Sequence, residues 1–329
     1  MSGAQGADPR TALGARVEEV LGGSVSELQV LPGGHSGLTY TVQVDGRVLV
    51  VKAVPPGRPA VGRHDVLRQA RVLRALAGAP VPTPGVVAVD DREPAWFAME
   101  WAPGEAVEPV LDGIPLAAGL ARSRALTATG VLARLHAVAP DALAGERAAT
   151  PADEVGRWAR VLEHAPAEFQ PVGRQLADAL ARHAPDPEPV ALVHGDFRLG
   201  NVLFEQHTAR AVVDWEIWGL GDPRVDLGYF GVFMDADNFP EIGTPVDELP
   251  DEDELLDAYA VARGRPVAGG AWFSALGRFR MAAIMAHNLR RHREGRYHDD
   301  AQETLPATIH RLVETGLARL GQAAERGSS

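Results

Sequence analysis

Hydrophobic and polar positions change period several times along this chain, and the changes mark its elements. Residues near 10–22 repeat apolar positions at helical spacing and predict a short helix. From Ser26 to Val54 the pattern becomes that of three strands: "LQVL", the alternating "LTYTVQV", and the return strand "RVLVVKAV". Asp45-Gly46, between the second and third, is a hairpin turn sequence. Pro55-Pro56-Gly57 ends the third strand, and between 61 and 77 Val66, Ala70, Leu73 and Leu76 recur as one helical face. After the Pro-rich break "GAPVPTPG", "VVAVD" and "AWFAMEWA" read as two further strands. Residues 24–102 are therefore expected to form a small antiparallel sheet with one helix inserted after its third strand.

From Pro103-Gly104 to about residue 185 the pattern reads as helical, most clearly in "RALTATGVLARLHAVA". "LVHGDFRLGNVLF" and "ARAVVDWEIWG" interrupt it as a short strand pair carrying a polar loop, and residues 252–263, 270–294 and 301–325 return to helical spacing. The expected fold class is α+β. Residues 1–102 would form a lobe of sheet plus one helix, and residues 103–329 a larger, mainly helical lobe. The first eight residues and the closing "AAERGSS" read as disordered. No internal repeat is visible.

Composition narrows the function classes. With 46% hydrophobic and 23% charged residues the chain reads as an ordinary globular protein of two lobes. No apolar run approaches membrane-span length, and the first residues lack the apolar core of a signal peptide. Cysteine is absent, which removes disulfides, thiolate catalysis and zinc–cysteine sites and fits a cytoplasmic protein. A net charge of −12 argues against a nucleic-acid surface. The acidic run "VDELPDEDELLD" suggests a cationic ligand less than it suggests helix-start acids that complement the macrodipole.

Chemistry concentrates at 192–204. His194-Gly195-Asp196 is followed five residues later by Asn201, and thirteen residues after that by Asp214 at the end of an apolar strand. Two carboxylates and an amide oxygen are hard ligands that suit Mg²⁺, which takes few protein ligands alongside substrate phosphates. One Asp would remain to orient a nucleophilic hydroxyl. In the first lobe, Gly33, Gly34, His35, Ser36 and Gly37 lie between two strands, where backbone N–H groups approach phosphates or simply turn a hairpin. Lys52 stands in the middle of an apolar strand, a position that asks for an anionic partner unless the side chain snorkels to solvent.

"HGDFRLGN" and "VVDWE" together resemble the H-G-D-x-x-x-x-N loop and the I/V-D-W/F metal strand of the aminoglycoside phosphotransferase and choline kinase-like family, with its bilobal protein-kinase-like fold. The resemblance covers roughly residues 25–320. The wording "HGDFRLGN…DWE…GDPRVDLGYF" is especially similar to the kinase-like domains attached to some acyl-CoA dehydrogenases.

The resemblance implies ATP or GTP and Mg²⁺ as cofactors, and a small hydroxylated molecule as acceptor. Asp196 would take the hydroxyl proton, Asn201 and Asp214 would hold the metal, and Lys52 would hold the α/β-phosphates beneath the 33–37 loop. Met99, Glu100, Trp101 and Ala102 would form the adenine hinge, unless they are a plain linker. Arg198 stands where protein kinases carry Lys. It would stabilise the γ-phosphoryl charge or lie on the surface. His194 would brace the loop and Asp226 would anchor it. Glu216 would reach the metal or a solvent network, and His136 reads as a satisfied helical histidine.

Two departures stand out. Gln69 occupies the helix position where relatives offer a Glu to the lysine, so Lys52 would rely on phosphates alone or on another acid. Gly37 stands where many relatives carry Asn. The acceptor stays open among aminoglycosides, macrolides, choline, homoserine, sugars and hydroxyacyl-CoAs. A nucleotide-binding pseudokinase and a Mg²⁺-dependent phosphohydrolase are the other classes. A monomer or homodimer, without nucleic acid or membrane, is expected.

Overall fold

The computed structural model describes residues 9–31, 38–55 and 57–327. The glycine-rich segment Gly33–Gly37 and the first eight residues, for which a phosphate loop and disorder were expected, lie outside the described residues.

The chain divides into two compact units, Met1–Pro103 with Ala211–Trp218, and Gly104–Arg210 with Gly219–Ser329. The first unit is built from α1 (Pro9–Leu21), β1 (Gln29–Val30), β2 (Leu38–Val44), β3 (Arg47–Ala53), α2 (Val66–Ala75), β4 (Val86–Asp90) and β5 (Trp96–Glu100). Its five strands lie in the order β1-β2-β3-β5-β4, all antiparallel. The Asp45-Gly46 turn sets Val44 opposite Arg47.

Alternation along β3 then divides its side chains. Leu49, Val51 and Ala53 join Tyr40, Val42, Trp96 and Ala98 in a core closed by Leu13 and Val17 of α1. Lys52 falls on the opposite face. Asp90 fastens α1 to the sheet: Oδ2 accepts from Arg16 Nη2 at 2.6 Å and from Trp96 Nε1 at 3.1 Å, and Oδ1 accepts from Arg92 Nε at 2.9 Å.

The second unit holds α3 (Leu120–Leu135), β6 (Ala148–Ala149), α4 (Pro151–Glu163), α5 (Gln170–Arg182), β7 (Ala191–Val193), β8 (Val202–Glu205), β10 (Gly219–Gly221), α6 (Arg224–Gly231), α7 (Glu252–Arg263), α8 (Gly270–Arg293) and α9 (Leu305–Gly327). Strand β9 (Thr208–Val212) pairs with β8 in a two-stranded sheet, and β10 pairs antiparallel with β7 and parallel with β6. Helix α8 is buried along most of its length and packs against α4, α5, α6 and α9.

Several expectations change. Residues 105–119 are irregular rather than helical, because Pro109, Gly113 and Pro115 interrupt the backbone ladder before α3 begins. The insert is two small sheets rather than one strand pair. Helix α9 carries the backbone through Gly327, where the closing residues had read as disordered. Among the described residues no helix is long and apolar enough to cross a membrane.

Candidate active site

In the second unit the polar loop follows β7. Gly195 has φ +83°, a conformation that disfavours any side chain and turns the loop sharply out of the strand. Asp226, in the first turn of α6, ties that turn down: Oδ2 accepts the N–H of His194 at 2.7 Å and Oδ1 that of Gly195 at 2.9 Å. His136 Nε2 lies 3.2 Å from the same carboxylate, and Nδ1 lies 2.7 Å from the Tyr259 hydroxyl. Burial alone would raise the Asp226 pKa. The His136 hydrogen bond, the electrostatic pull of the neighbouring His136 and His194 and the Gly195 N–H outweigh it and hold the pKa below the ordinary carboxylate value.

His194 accepts the N–H of Asp196 on Nδ1 at 3.1 Å, so its ring braces the loop. Asn201 Nδ2 donates to Asp196 O at 2.7 Å and to Asp196 Oδ2 at 2.8 Å. That amide nitrogen is committed, which leaves Oδ1 as the oxygen able to face a cation. The Asp196 side chain keeps 25% of its surface exposed. It is thus an oriented carboxylate with access to a ligand.

Three residues that sequence reasoning missed surround this loop. Arg280, buried in α8, donates Nη2 to the carbonyl of Gly195, with its guanidinium 4.0 Å from the ring centroid of Tyr229. Tyr229 is buried and hydrogen-bonds Asp196, and burial raises its hydroxyl pKa. Glu108 is fully buried. Its Oε2 accepts the Gly200 N–H at 3.1 Å and lies 3.6 Å from Arg198 Nη1. Arg198 Nε also lies 3.7 Å from Asp196 Oδ2, so Arg198 sits between two acids rather than on an open surface. No local pattern marks these contacts, since each joins positions tens of residues apart.

In the first unit Lys52 is the centre. Its side chain is 15% exposed, and Nζ lies 3.2 Å from Gln69 Oε1, 3.3 Å from Asp214 Oδ1 and 3.7 Å from Glu216 Oε1. Gln69 does hydrogen-bond the lysine, and two other residues supply the acid. Asp214 does not end a strand, as the apolar run before it suggested, and Glu216, read on the same strand face, is not on one either. β9 ends at Val212, and both residues lie in the turn beyond it.

Asp214 has φ +64°, a strained value for a residue with a side chain, of order 1 kcal/mol, that surrounding contacts must sustain. Trp215 Nε1 closes the turn onto Val212 O at 3.0 Å. Trp218 Nε1 donates to Arg68 O at 3.0 Å, and Arg68 Nη2 donates back to Trp218 O at 2.8 Å. The turn is thereby pinned to α2, whose next residue is Gln69.

At the end of β5, Met99 is buried and Glu100 N–H donates to Gly85 O at 2.8 Å. That removes one donor from the four expected hinge positions, while Trp101 stands 46% exposed beside Ala102.

Among the described residues no group of three or more His, Cys, Asp or Glu forms a ready metal cage. Taken separately, Asn201 in the second unit presents an amide oxygen and Asp214 in the first a carboxylate. Such hard, sparse donors fit Mg²⁺ brought with nucleotide phosphates.

Known proteins resemble this chain in sequence and in fold. A family model described as the phosphotransferase enzyme family, APH, matches residues 27–273. Acyl-CoA dehydrogenase family member 10 of Mus musculus is 30% identical over 278 residues, covering 79% of this chain and 26% of that protein. The chain thus spans about a quarter of the length of this relative. A proposed aminoglycoside phosphotransferase from Ralstonia eutropha JMP134 has a crystal structure that superposes with a TM-score of 0.80 at 26% identity, over 95% of this chain and 98% of that one. A thermostable mutant of aminoglycoside phosphotransferase APH(4)-Ia, in ternary complex with AMP-PNP and hygromycin B, superposes with a TM-score of 0.61 at 18% identity, over 91% and 98% of the two chains. The family model alone spans well over half of the 329 residues, and the chain belongs to the APH phosphotransferase enzyme family, with its kinase-like fold.

Proposed function

We propose that this chain transfers the γ-phosphoryl group of ATP or GTP to a hydroxyl of a small molecule, as a cytoplasmic enzyme. One observation carries the reading. Asp196 is held by Asn201, Tyr229 and its own backbone on a loop that Asp226 and Arg280 lock from behind, and it still presents an exposed carboxylate edge. A loose phosphoryl-transfer transition state asks the protein for position and charge more than for a strong base. Asp196 would align the acceptor hydroxyl and receive its proton. Lys52 would bind the α/β-phosphates, Asn201 Oδ1 and Asp214 would hold Mg²⁺, and Arg198 would offset charge on the transferring group. The metal, when bound, supplies charge neutralisation of the phosphates.

The AMP-PNP and hygromycin B in the APH(4)-Ia complex support nucleotide use and an antibiotic acceptor. The 30% identity to the acyl-CoA dehydrogenase relative favours a second reading, a hydroxyacyl-CoA or related metabolite acceptor. The carboxylates beside Lys52 speak against a pseudokinase, since Gln69 does not leave the ammonium without counter-charge. A phosphohydrolase would leave Lys52 without a role.

The test is ADP or GDP release with Mg²⁺ against aminoglycosides, macrolides, choline, sugars and hydroxyacyl-CoAs, each repeated with Asp196→Ala. Acceptor-dependent release that disappears in the variant supports the reading and names the acceptor class. Equal release by wild type and variant removes Asp196 from the chemistry and overturns it.

A further inference from the structure

Lys52 is the chain's single lysine; every other residue of the 32 Lys and Arg is arginine. A compact ammonium on a flexible stem is kept at one place only, inside a strand, and an arginine's planar fork is not an equivalent donor to it. Its neighbours divide by what they offer. Gln69 orients the ammonium but cancels no charge. Asp214 is the carboxylate assigned above to the metal, has 41% of its side chain exposed and sits at strained φ. A carboxylate bound to a cation is a poor counter-charge for a second one. Glu216 is different. Its side chain is only 14% exposed, and the turn that carries it is pinned to α2 through Trp218 and Arg68.

We propose that Glu216 is the residue that positions the Lys52 ammonium for nucleotide phosphates, doing from the turn after β9 what a carboxylate at position 69 would do from the helix. The inference rests on the phosphotransferase reading. It makes the pairing acid transferable: Gln69 Oε1 already lies 3.2 Å from Nζ, so Gln69→Glu would put a carboxylate oxygen at the lysine with no change in size.

The test compares wild type, Glu216→Gln, the double variant Glu216→Gln/Gln69→Glu, and Lys52→Met. The dissociation constants of MgATP and MgGTP are measured by calorimetry. Labelling of Lys52 by an amine reagent is followed by peptide mass spectrometry in nucleotide-free protein. Because no second lysine competes, the side-chain label reports this position alone.

Glu216→Gln is expected to weaken the preferred nucleotide by about tenfold, the scale of one charge-assisted contact, and the double variant to return to within about threefold of wild type. The Lys52 label should rise in Glu216→Gln, as the released ammonium meets the reagent, and fall again in the double variant. If Glu216→Gln binds and labels as wild type does while Lys52→Met loses nucleotide, Glu216 has no such role and the phosphotransferase reading still stands. A Glu216→Gln defect that Gln69→Glu leaves uncorrected also overturns the inference, since the charge would then not be what matters. Wild-type protein that binds neither nucleotide overturns the reading itself, and this inference with it.

Discussion

Arg198 Nη1 stands 3.6 Å from Oε2 of Glu108, a carboxylate with no exposure to solvent. Glu108 Oε1 has no hydrogen-bond partner among the described residues. Burial pushes the Glu108 pKa from 4.5 up to about 7, with the Arg198 charge and the Gly200 N–H pulling against it and Asp112 adding repulsion. The buried acid thus holds its proton more tightly folded than unfolded. Its favourable contribution is complete below pH 4.5 and is lost as pH rises through 7, with an upper scale of ~3 kcal/mol. Glu108→Gln has no proton to lose, so its stability should fall less than that of wild type between pH 5 and 8. Urea melts at the two pH values check this. Parallel losses in both proteins would mean that Glu108 is already ionised at pH 5.

Asp226→Asn addresses the lock behind the loop. The carboxylate accepts two backbone N–H groups and faces His136, all without solvent. An amide keeps one oxygen for those donors and must turn its NH₂ against one of the two N–H groups. We expect a loss of about 3 kcal/mol, within the range for breaking a buried charged network, together with loss of turnover. Because the folded pKa of Asp226 is depressed, its contribution is present above pH 3.8 and disappears as pH falls through the lower folded value. The gap between wild-type and Asp226→Asn melting temperatures should therefore narrow in acid. A constant gap from pH 7 to pH 3 would show that the charge on Asp226 contributes nothing.

Much of this site was legible in the sequence, and the unreadable parts have a common cause. "HGDFRLGN" and "VVDWE" are local strings whose spacing is itself the signal, and the Asp45-Gly46 hairpin is set by turn chemistry. The apolar return strand after that turn also placed Lys52 on a strand. Helix α6 escaped because all eight of its residues are buried, so it shows no polar face and no period. Strands β6, β7 and β10 have two or three residues each, mostly Ala, Gly, Leu and Val, too short for alternation to register. The helical reading of 105–119 gave apolar spacing more weight than Pro109 and Pro115. Glu108, Tyr229, Arg280 and the second acid beside Lys52 are long-range contacts, which no window along the chain contains.

Asp196→Ala separates chemistry from binding. Asn201 and Tyr229 lose a polar partner, but the side chain is partly exposed, so stability should fall by only ~1 kcal/mol. Phosphoryl transfer should become undetectable, while MgATP or MgGTP still raises the melting temperature through Lys52 and Asp214. Retained transfer would move the proton acceptor elsewhere. A lost thermal shift would instead mean that the 196–201 loop has collapsed.

Gly228→Ala tests whether the fit of α6 against α8 holds the catalytic loop. A Cβ at Gly228 would lie far inside contact with the Phe273 carbonyl, and one at Gly277 would meet the Gly228 carbonyl. The two backbones touch because neither position carries a side chain. Backbone cannot swing aside as a flexible side chain does, so the helices must separate, at a cost of roughly 2–4 kcal/mol for overpacking of this kind. Asp226 lies two residues before Gly228 and would move with α6, lengthening its bonds to His194 and Gly195. Hydrogen exchange at those two amides is the discriminating measurement. Faster exchange in Gly228→Ala, at a temperature where the protein remains folded, is the expected result. Unchanged protection of both amides, despite a lowered melting temperature, would show that the α6–α8 contact supports the fold without positioning the loop.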